Sequence, residues 1–199
     1  MNMPYVIQES SAGITRYGIA DAMLSNRQID CTGEITTERA NALILQLRYL
    51  QQENPKEAIV MYINSPGGEV SAGLALYDVM QAVSCPVHTV CVGTAASMGA
   101  VLFLSGDHRE IFPHAKVMIH DPLIPEGVGG SALRVENISR ELMKTREVIG
   151  SIIGKHTGKS MDEVYAAMAK DTYFDATQAQ SLRYFVSSGP CNPRTTAHP

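Results

Sequence analysis

Two short strand-like runs, one apolar and one β-branched, each ending in small residues and followed at once by a helical pattern, constrain this chain more than any other feature. Ala58 to Ile63 is nearly continuous in apolar residues, ends in Asn64-Ser65-Pro66-Gly67-Gly68, and gives way to helical spacing through Leu74, Tyr77, Val79 and Met80. Val87 to Val92, entered from Cys85-Pro86, leads into Thr94-Ala95-Ala96-Ser97-Met98-Gly99 and a short helical segment from Ala100 to Leu104. The first run predicts a strand covered on both faces and the second a further strand, and their alternation with helices predicts an α/β protein with a mostly parallel sheet. Upstream, Thr36 or Thr37 can cap a helix whose apolar positions Ala40, Leu43, Ile44, Leu47 and Leu50 share one face, with Asn54-Pro55 as its stop. Functional sites in such folds gather at the carboxyl ends of the strands.

The second half continues the pattern with two strands, Arg109 to Phe112 and Lys116 to Ile119, on either side of Pro113-His114. A flexible break is expected at Gly127-Val128-Gly129-Gly130, then a long helix from about Ala132 to Lys155 with Leu133, Ile138, Leu142, Ile149 and Ile152 or Ile153 at apolar spacing. Ser160-x-x-Glu163 matches a capping box, Asp175-x-x-Gln178 resembles one, and the Pro-containing stretch Ser187 to Pro199 is expected to be disordered.

At 199 residues, 45% of them hydrophobic, the chain can bury a substantial core without disulfides or metals. The net charge of −4, with no long run of either sign, gives no footing for nucleic acid or an anionic membrane. Ala100 to Leu104 falls far short of the roughly 20 apolar residues of a membrane span, and no secretory apolar segment follows Met1. Cys31, Cys85, Cys91 and Cys191 have neither C-x-x-C spacing nor a histidine pair, so no metal site is expected; scattered thiols without an export signal fit the cytoplasm. Gly154 to Ser160 imitates a phosphate loop, but its glycines are one residue too close and it follows a helix. Gly127 to Gly130 lacks the spacing and setting of a dinucleotide fingerprint.

Ser97 stands among small residues where a strand turns into a helix, a relative of the G-x-S-x-G elbow with Ala95 at the first glycine position. A nucleophilic serine needs a base, a carboxylate to orient it and donors for an oxyanion. Of six histidines, only His120 has an apolar strand behind it and a turn in front; a satisfied structural histidine is the alternative. Gly67-Gly68 can offer a backbone N–H to an oxyanion, or be an ordinary Pro-Gly-Gly turn, and the Met98 N–H at the start of a helix is a natural second donor.

Tyr62-Ile63-Asn64-Ser65-Pro66-Gly67-Gly68, Ala72-Gly73-x-x-x-Tyr77-Asp78, Ala95-Ala96-Ser97-Met98-Gly99 and Met118-Ile119-His120-x-Pro122-Leu123 together resemble, in order and spacing, the ClpP family of proteolytic subunits of ATP-dependent Clp proteases. The resemblance runs from about Met3 to Val186. It implies Ser97 as nucleophile, His120 as general base and the N–H groups of Gly68 and Met98 as the oxyanion hole, with no metal. It also implies Asp171 as the triad carboxylate, because Asp171-Thr172-Tyr173-Phe174-Asp175-Ala176 occupies the place of the family's Asp-x-Phe/Tyr-x-Ser-Ala segment. Asp121 and Asp175 are the alternatives among the residues themselves: Asp121 should face away from the His120 ring in extended chain, and Asp175 is occupied if it caps a helix.

The fold implied is crotonase-like α/β, built of repeated ββα units with a protruding handle helix. Residues 1–20 would form an axial segment, 21–186 the protease domain with the handle at about 124–156, and 187–199 the tail. The expected activity is serine endopeptidase cleavage of unfolded polypeptides inside a chamber, with partners being further copies in two stacked heptamers, or a mixed ring with a paralogue. No cofactor is expected on this chain; ATP would be used by a separate AAA+ unfoldase of the ClpX, ClpA or ClpC kind. Asp121 stands where the family usually has glutamine, the 124–130 turn is about two residues longer, and Leu182-Arg183-Tyr184-Phe185 replaces the expected Tyr-Gly-Leu-Ile/Val-Asp. The altered turn after His120 motivates an alternative, a paralogue acting mainly as a ring or docking subunit. A crotonase-type acyl-CoA enzyme is a further one.

Overall fold

A computed structural model describes residues 5–11, 13–124 and 129–181. The elements in chain order are β1 (Tyr5–Ser10), β2 (Gly13–Gly18), α1 (Ile19–Ser25), β3 (Gln28–Thr32), α2 (Thr37–Glu53), β4 (Ile59–Ser65), α3 (Val70–Ala82) and β5 (Val87–Ala96). They continue with α4 (Met98–Leu104), β6 (His108–Ile111), β7 (Lys116–Ile119), α5 (Ala132–Thr157), α6 (Met161–Met168), β8 (Thr172–Asp175) and α7 (Ala176–Ser181). The expected tail and the unusual 182–185 segment lie outside the described residues, as do Gly127 and Val128 of the expected break. Described residues of the 1–20 segment form an antiparallel β1–β2 hairpin and the start of α1.

A six-stranded mixed sheet runs in the order β3-β4-β5-β7-β8, with β6 also on β5. β5 is long enough to serve two neighbours: His88 to Cys91 pair with β6 and Thr94 to Ala96 with β7, both parallel. Within this sheet the β7–β8 pair alone among the described strands is antiparallel, with Ile119 opposite Thr172. The α/β architecture is thus the one implied by sequence, with details that differ. β5 continues past Val92 to Ala96, because Thr94 to Ala96 find a second partner in β7, and α4 begins at Met98 immediately after Ser97. β4 is not covered on both faces: Ile59, Met61, Ile63 and Ser65 are buried, while Val60 and Tyr62 are half-buried and Asn64 is exposed. His156 lies within the last turn of α5, which runs past its expected end at Lys155 to Thr157.

Local chemistry sets the boundaries. The Thr36 hydroxyl accepts from the Arg39 N–H at the start of α2, and the Ser160–Glu163 box opens α6 as its sequence predicts. Two buried arginines cap helix ends that would otherwise hold orphan carbonyls. Arg27 donates to the carbonyls of Leu50, Asn54, Glu57 and Ala58, closing α2, and Arg109 Nη1 donates to Leu104 O and His156 O, closing α4 and α5 together. All seven residues of α4 are buried, as a helix with no polar side chain requires, and it packs against β5, α3 and α5.

Two half-buried imidazoles make this packing sensitive to acid. Burial holds His88 and His156 below the ordinary imidazole pKa, aided at His88 by the neighbouring His108 ring and at His156 by Lys155 and Arg109. A depressed folded-state pKa means that the unfolded chain takes up the proton first, so stability is present above the ordinary value of about 6.5 and is lost as pH falls toward the folded-state values. The urea midpoint should therefore fall between about pH 8 and about pH 5.5, and fall less in a His88→Gln, His156→Gln double variant. Identical pH dependence in both proteins would contradict the assignment.

Candidate functional site

Ser97 is held where no ordinary residue is comfortable. Its φ of 53° and ψ of −122° lie between the extended end of β5 and the first turn of α4, a conformation that costs a non-glycine residue about 1–3 kcal/mol. Burial of Val101, Leu102, Phe103 and Leu104 along α4 contributes about 1.5–3 kcal/mol for each large side chain, so packing outweighs the strain. The Ser97 hydroxyl is not spent on capping α4. Its N–H donates to Met118 O at 2.9 Å, tying the elbow to β7.

That tie sets the rest of the geometry. With Ala96 beside Met118 in the parallel register, the residue at the end of β7 reaches the elbow, and His120 Nε2 lies 2.9 Å from Ser97 Oγ. On the other edge of β7, continuing the Ile119–Thr172 register by one step sets His120 against Asp171, whose Oδ1 is 3.5 Å from His120 Nδ1. This is the outer limit of a hydrogen bond, and catalytic contacts in empty sites are often long and tighten when substrate binds. The His120 side chain is 14% exposed, the Asp171 carboxylate 63%.

The Gly67-Gly68 turn approaches from β4. Gly67 has φ +100° and Gly68 +152°, and a Cβ on Gly67 would stand 2.7 Å from Ser97 Cβ and 2.9 Å from Ala96 O. Only a bare backbone can lie this close to the elbow. A bridge to Ile35 uses the carbonyl of Gly67 and the N–H of Glu69, which turns the Gly68 N–H to the opposite side. Met98, as the first residue of α4, has an N–H without an intrahelical acceptor. Gly68, Met98, Ser97 and His120 line one cleft of about 410 Å³, whose walls include Val70, Val101, Ile149, Ile153 and Leu123.

All five residues singled out by sequence are therefore brought together. The two other carboxylates are engaged elsewhere: Asp121 Oδ1 accepts from Arg146 Nε at 2.8 Å, and Asp175 Oδ1 accepts from the Gln178 N–H at 2.8 Å as a helix cap. The His88 and His108 rings meet edge to face, as do those of His156 and Tyr77. Cys91 is fully buried, as its reading as a small core residue implies, and burial pushes its thiol up to about 11. Sequence reasoning missed Arg146 and Tyr165, whose ring lies 3.9 Å beneath the Arg146 guanidinium carbon. The available signal was spacing: Arg146 stands three and seven residues before Ile149 and Ile153, a charge on the face of α5 turned toward the body. No described helix is long and apolar enough to cross a membrane.

Residues 11–183 match the family model described as Clp protease. The chain is 43% identical over 183 residues to a protein of Bdellovibrio bacteriovorus named as an ATP-dependent Clp protease proteolytic subunit, an alignment covering 90% of this chain and 86% of the relative.

The geometry separates the candidate carboxylates. Asp171→Asn should lower turnover of a fluorogenic peptide by about 10⁴, because an asparagine there favours the wrong imidazole tautomer. Asp121→Asn, bonded away from the ring, should cost far less. A larger loss in the Asp121 variant would overturn the assignment.

Proposed function

Because the chain belongs to the Clp protease family, whose members are serine-type endopeptidases, we propose that Ser97, His120 and Asp171 cleave peptide bonds in its apolar cleft. The observation that carries this reading is the 2.9 Å contact between Ser97 Oγ and His120 Nε2 at a strained elbow. Ser97 Oγ attacks the scissile carbonyl carbon while its proton passes to His120 Nε2, and Asp171 holds the Nδ1–H and stabilises the imidazolium. The carbonyl oxygen, now an oxyanion, accepts from the N–H groups of Gly68 and Met98, donors of a kind whose individual loss costs about 10²–10³ in rate. The tetrahedral species collapses, Nε2 returns the proton to the leaving amine, and water repeats the sequence on the acyl-serine to release the second product.

A docking subunit without activity, or an acyl-CoA enzyme, would have no use for a serine and an imidazole so arranged. Ser97→Ala removes one oxygen and little volume, so peptide hydrolysis should fall by about 10⁶ while the assembly sediments as before. Retention of most activity would refute the nucleophile.

The same reading extends to assembly, with subunits pairing as two stacked heptameric rings. ATP is used by a separate AAA+ unfoldase of the ClpX, ClpA or ClpC kind, which feeds unfolded polypeptide to the chamber in the cytoplasm, and this chain takes up no cofactor. Support for the pairing of subunits comes from α5, where Leu133 is 65% and Met143 50% exposed, with Val135 and Val148 also open. Apolar surface of this extent on a projecting helix calls for a covering partner, here a second copy. Ile138 and Leu142, at the expected apolar spacing, are half-buried within the chain. Glutamates are therefore better placed at Leu133 and Met143, where they disturb least within one chain. In analytical ultracentrifugation the Leu133→Glu, Met143→Glu variant should lose the large oligomer and its peptidase activity. An unchanged sedimentation profile would contradict this role for α5.

A further inference from the structure

The Asp171 carboxylate is largely exposed and makes no hydrogen bond to a described residue besides its contact with His120. Its position must therefore be set by the backbone that carries it, which emerges from α6. That backbone is joined to the segment after His120 by a closed circuit. The Asp121 N–H donates to Met168 O at 2.8 Å, at the end of α6. The Asp121 carboxylate accepts from Arg146 Nε on α5, and the Arg146 guanidinium lies over the ring of Tyr165, back on α6. Close packing of α5 on α6 is enforced at Gly150, where a Cβ would stand 2.8 Å from Tyr165 Cε1. Thr172 Oγ1 donates to Ala167 O at 2.6 Å, fastening the other side of Asp171 to the same helix.

We propose that Asp121, Arg146 and Tyr165 form a clamp that fixes the distance between His120 and Asp171. None of the three touches the reacting atoms, so they are positioning residues. The proposal rests on the triad reading above and goes beyond it, because it gives the aspartate after His120 a task. The pair's direct electrostatic contribution to stability is small, with side chains 21% and 37% exposed. Its effect is geometric: a contact already at 3.5 Å has no slack, and a displacement of 1 Å at a reacting centre can cost about 100-fold.

The test is a double-mutant cycle on the full chain. Asp121→Ala and Arg146→Met are each made alone and on the Asp171→Asn background, with kcat and KM measured on a fluorogenic peptide and the rate of fluorophosphonate labelling at Ser97. Beside an intact Asp171, each change should lower kcat and labelling about tenfold with KM shifted less than about twofold. On the Asp171→Asn background, where there is no carboxylate to position, each should cost less than about twofold. No loss beside Asp171, or equal losses on both backgrounds, would overturn the clamp. Should Arg146→Met disturb assembly, Asp121→Ala, which removes only a partly exposed carboxylate, decides by the same two comparisons. If Ser97 in the unaltered chain does not label, the triad reading itself is wrong, whereas normal labelling with insensitive variants refutes the clamp alone.

Discussion

The register of β7 between β5 and β8 is the constraint on which the site depends. β7 is four residues long, yet it pairs in parallel on one edge and antiparallel on the other. The parallel pairing, closed by the Ser97 N–H on Met118 O, brings the elbow to the end of β7. The antiparallel pairing brings Asp171 to the same place from the opposite side. A one-residue slip on either edge would turn His120 to the other face of the sheet and separate it from one partner. β6 accounts for how β7 can be so short, since it takes up the first half of β5 and leaves only the second half to be covered.

Strain and close approach are then held in place by packing. Ser97 adopts its unfavourable backbone because α4, buried along its entire length, leaves no room for another path. The bare backbone of Gly67 reaches the elbow at a separation that no side chain could share, and the bridge from Ile35 orients Gly68. Arg109 joins the carboxyl ends of α4 and α5, so the helix that starts just after Ser97 and the helix that lines the cleft share one buried anchor. The chemistry uses a few polar groups, and the apolar core of Leu102, Phe103 and Leu104 keeps them in position.

Much of this was legible because the site residues sit at junctions that sequence marks clearly. Ser97 lies among small residues after a β-branched run, His120 ends the run Lys116 to Ile119, and Gly67-Gly68 ends another. Asp171 was harder to find from the residues alone, since its pairing with His120 depends on the β7–β8 register, a long-range contact with no local signal. For the same reason local sequence marks β5 only as far as Val92, because the residues beyond it become strand only by pairing with β7. In β4, Val60 and Tyr62 are apolar in type and suggest burial on both faces, although they are only half-covered. The engagement of Asp121 by Arg146 depends on how α5 packs against the body, which helical spacing can suggest but cannot locate.

By this geometry the register of β7 and the elbow at Ser97 place one oxygen atom between an imidazole and two backbone donors. A crystal structure of the chain after reaction with a fluorophosphonate tests it most directly. The adduct should show a phosphorus–oxygen bond to Ser97 Oγ, with the phosphoryl oxygen at about 2.7–3.1 Å from the N–H groups of both Gly68 and Met98. An adduct on another residue, or a phosphoryl oxygen turned to solvent away from both donors, would contradict it.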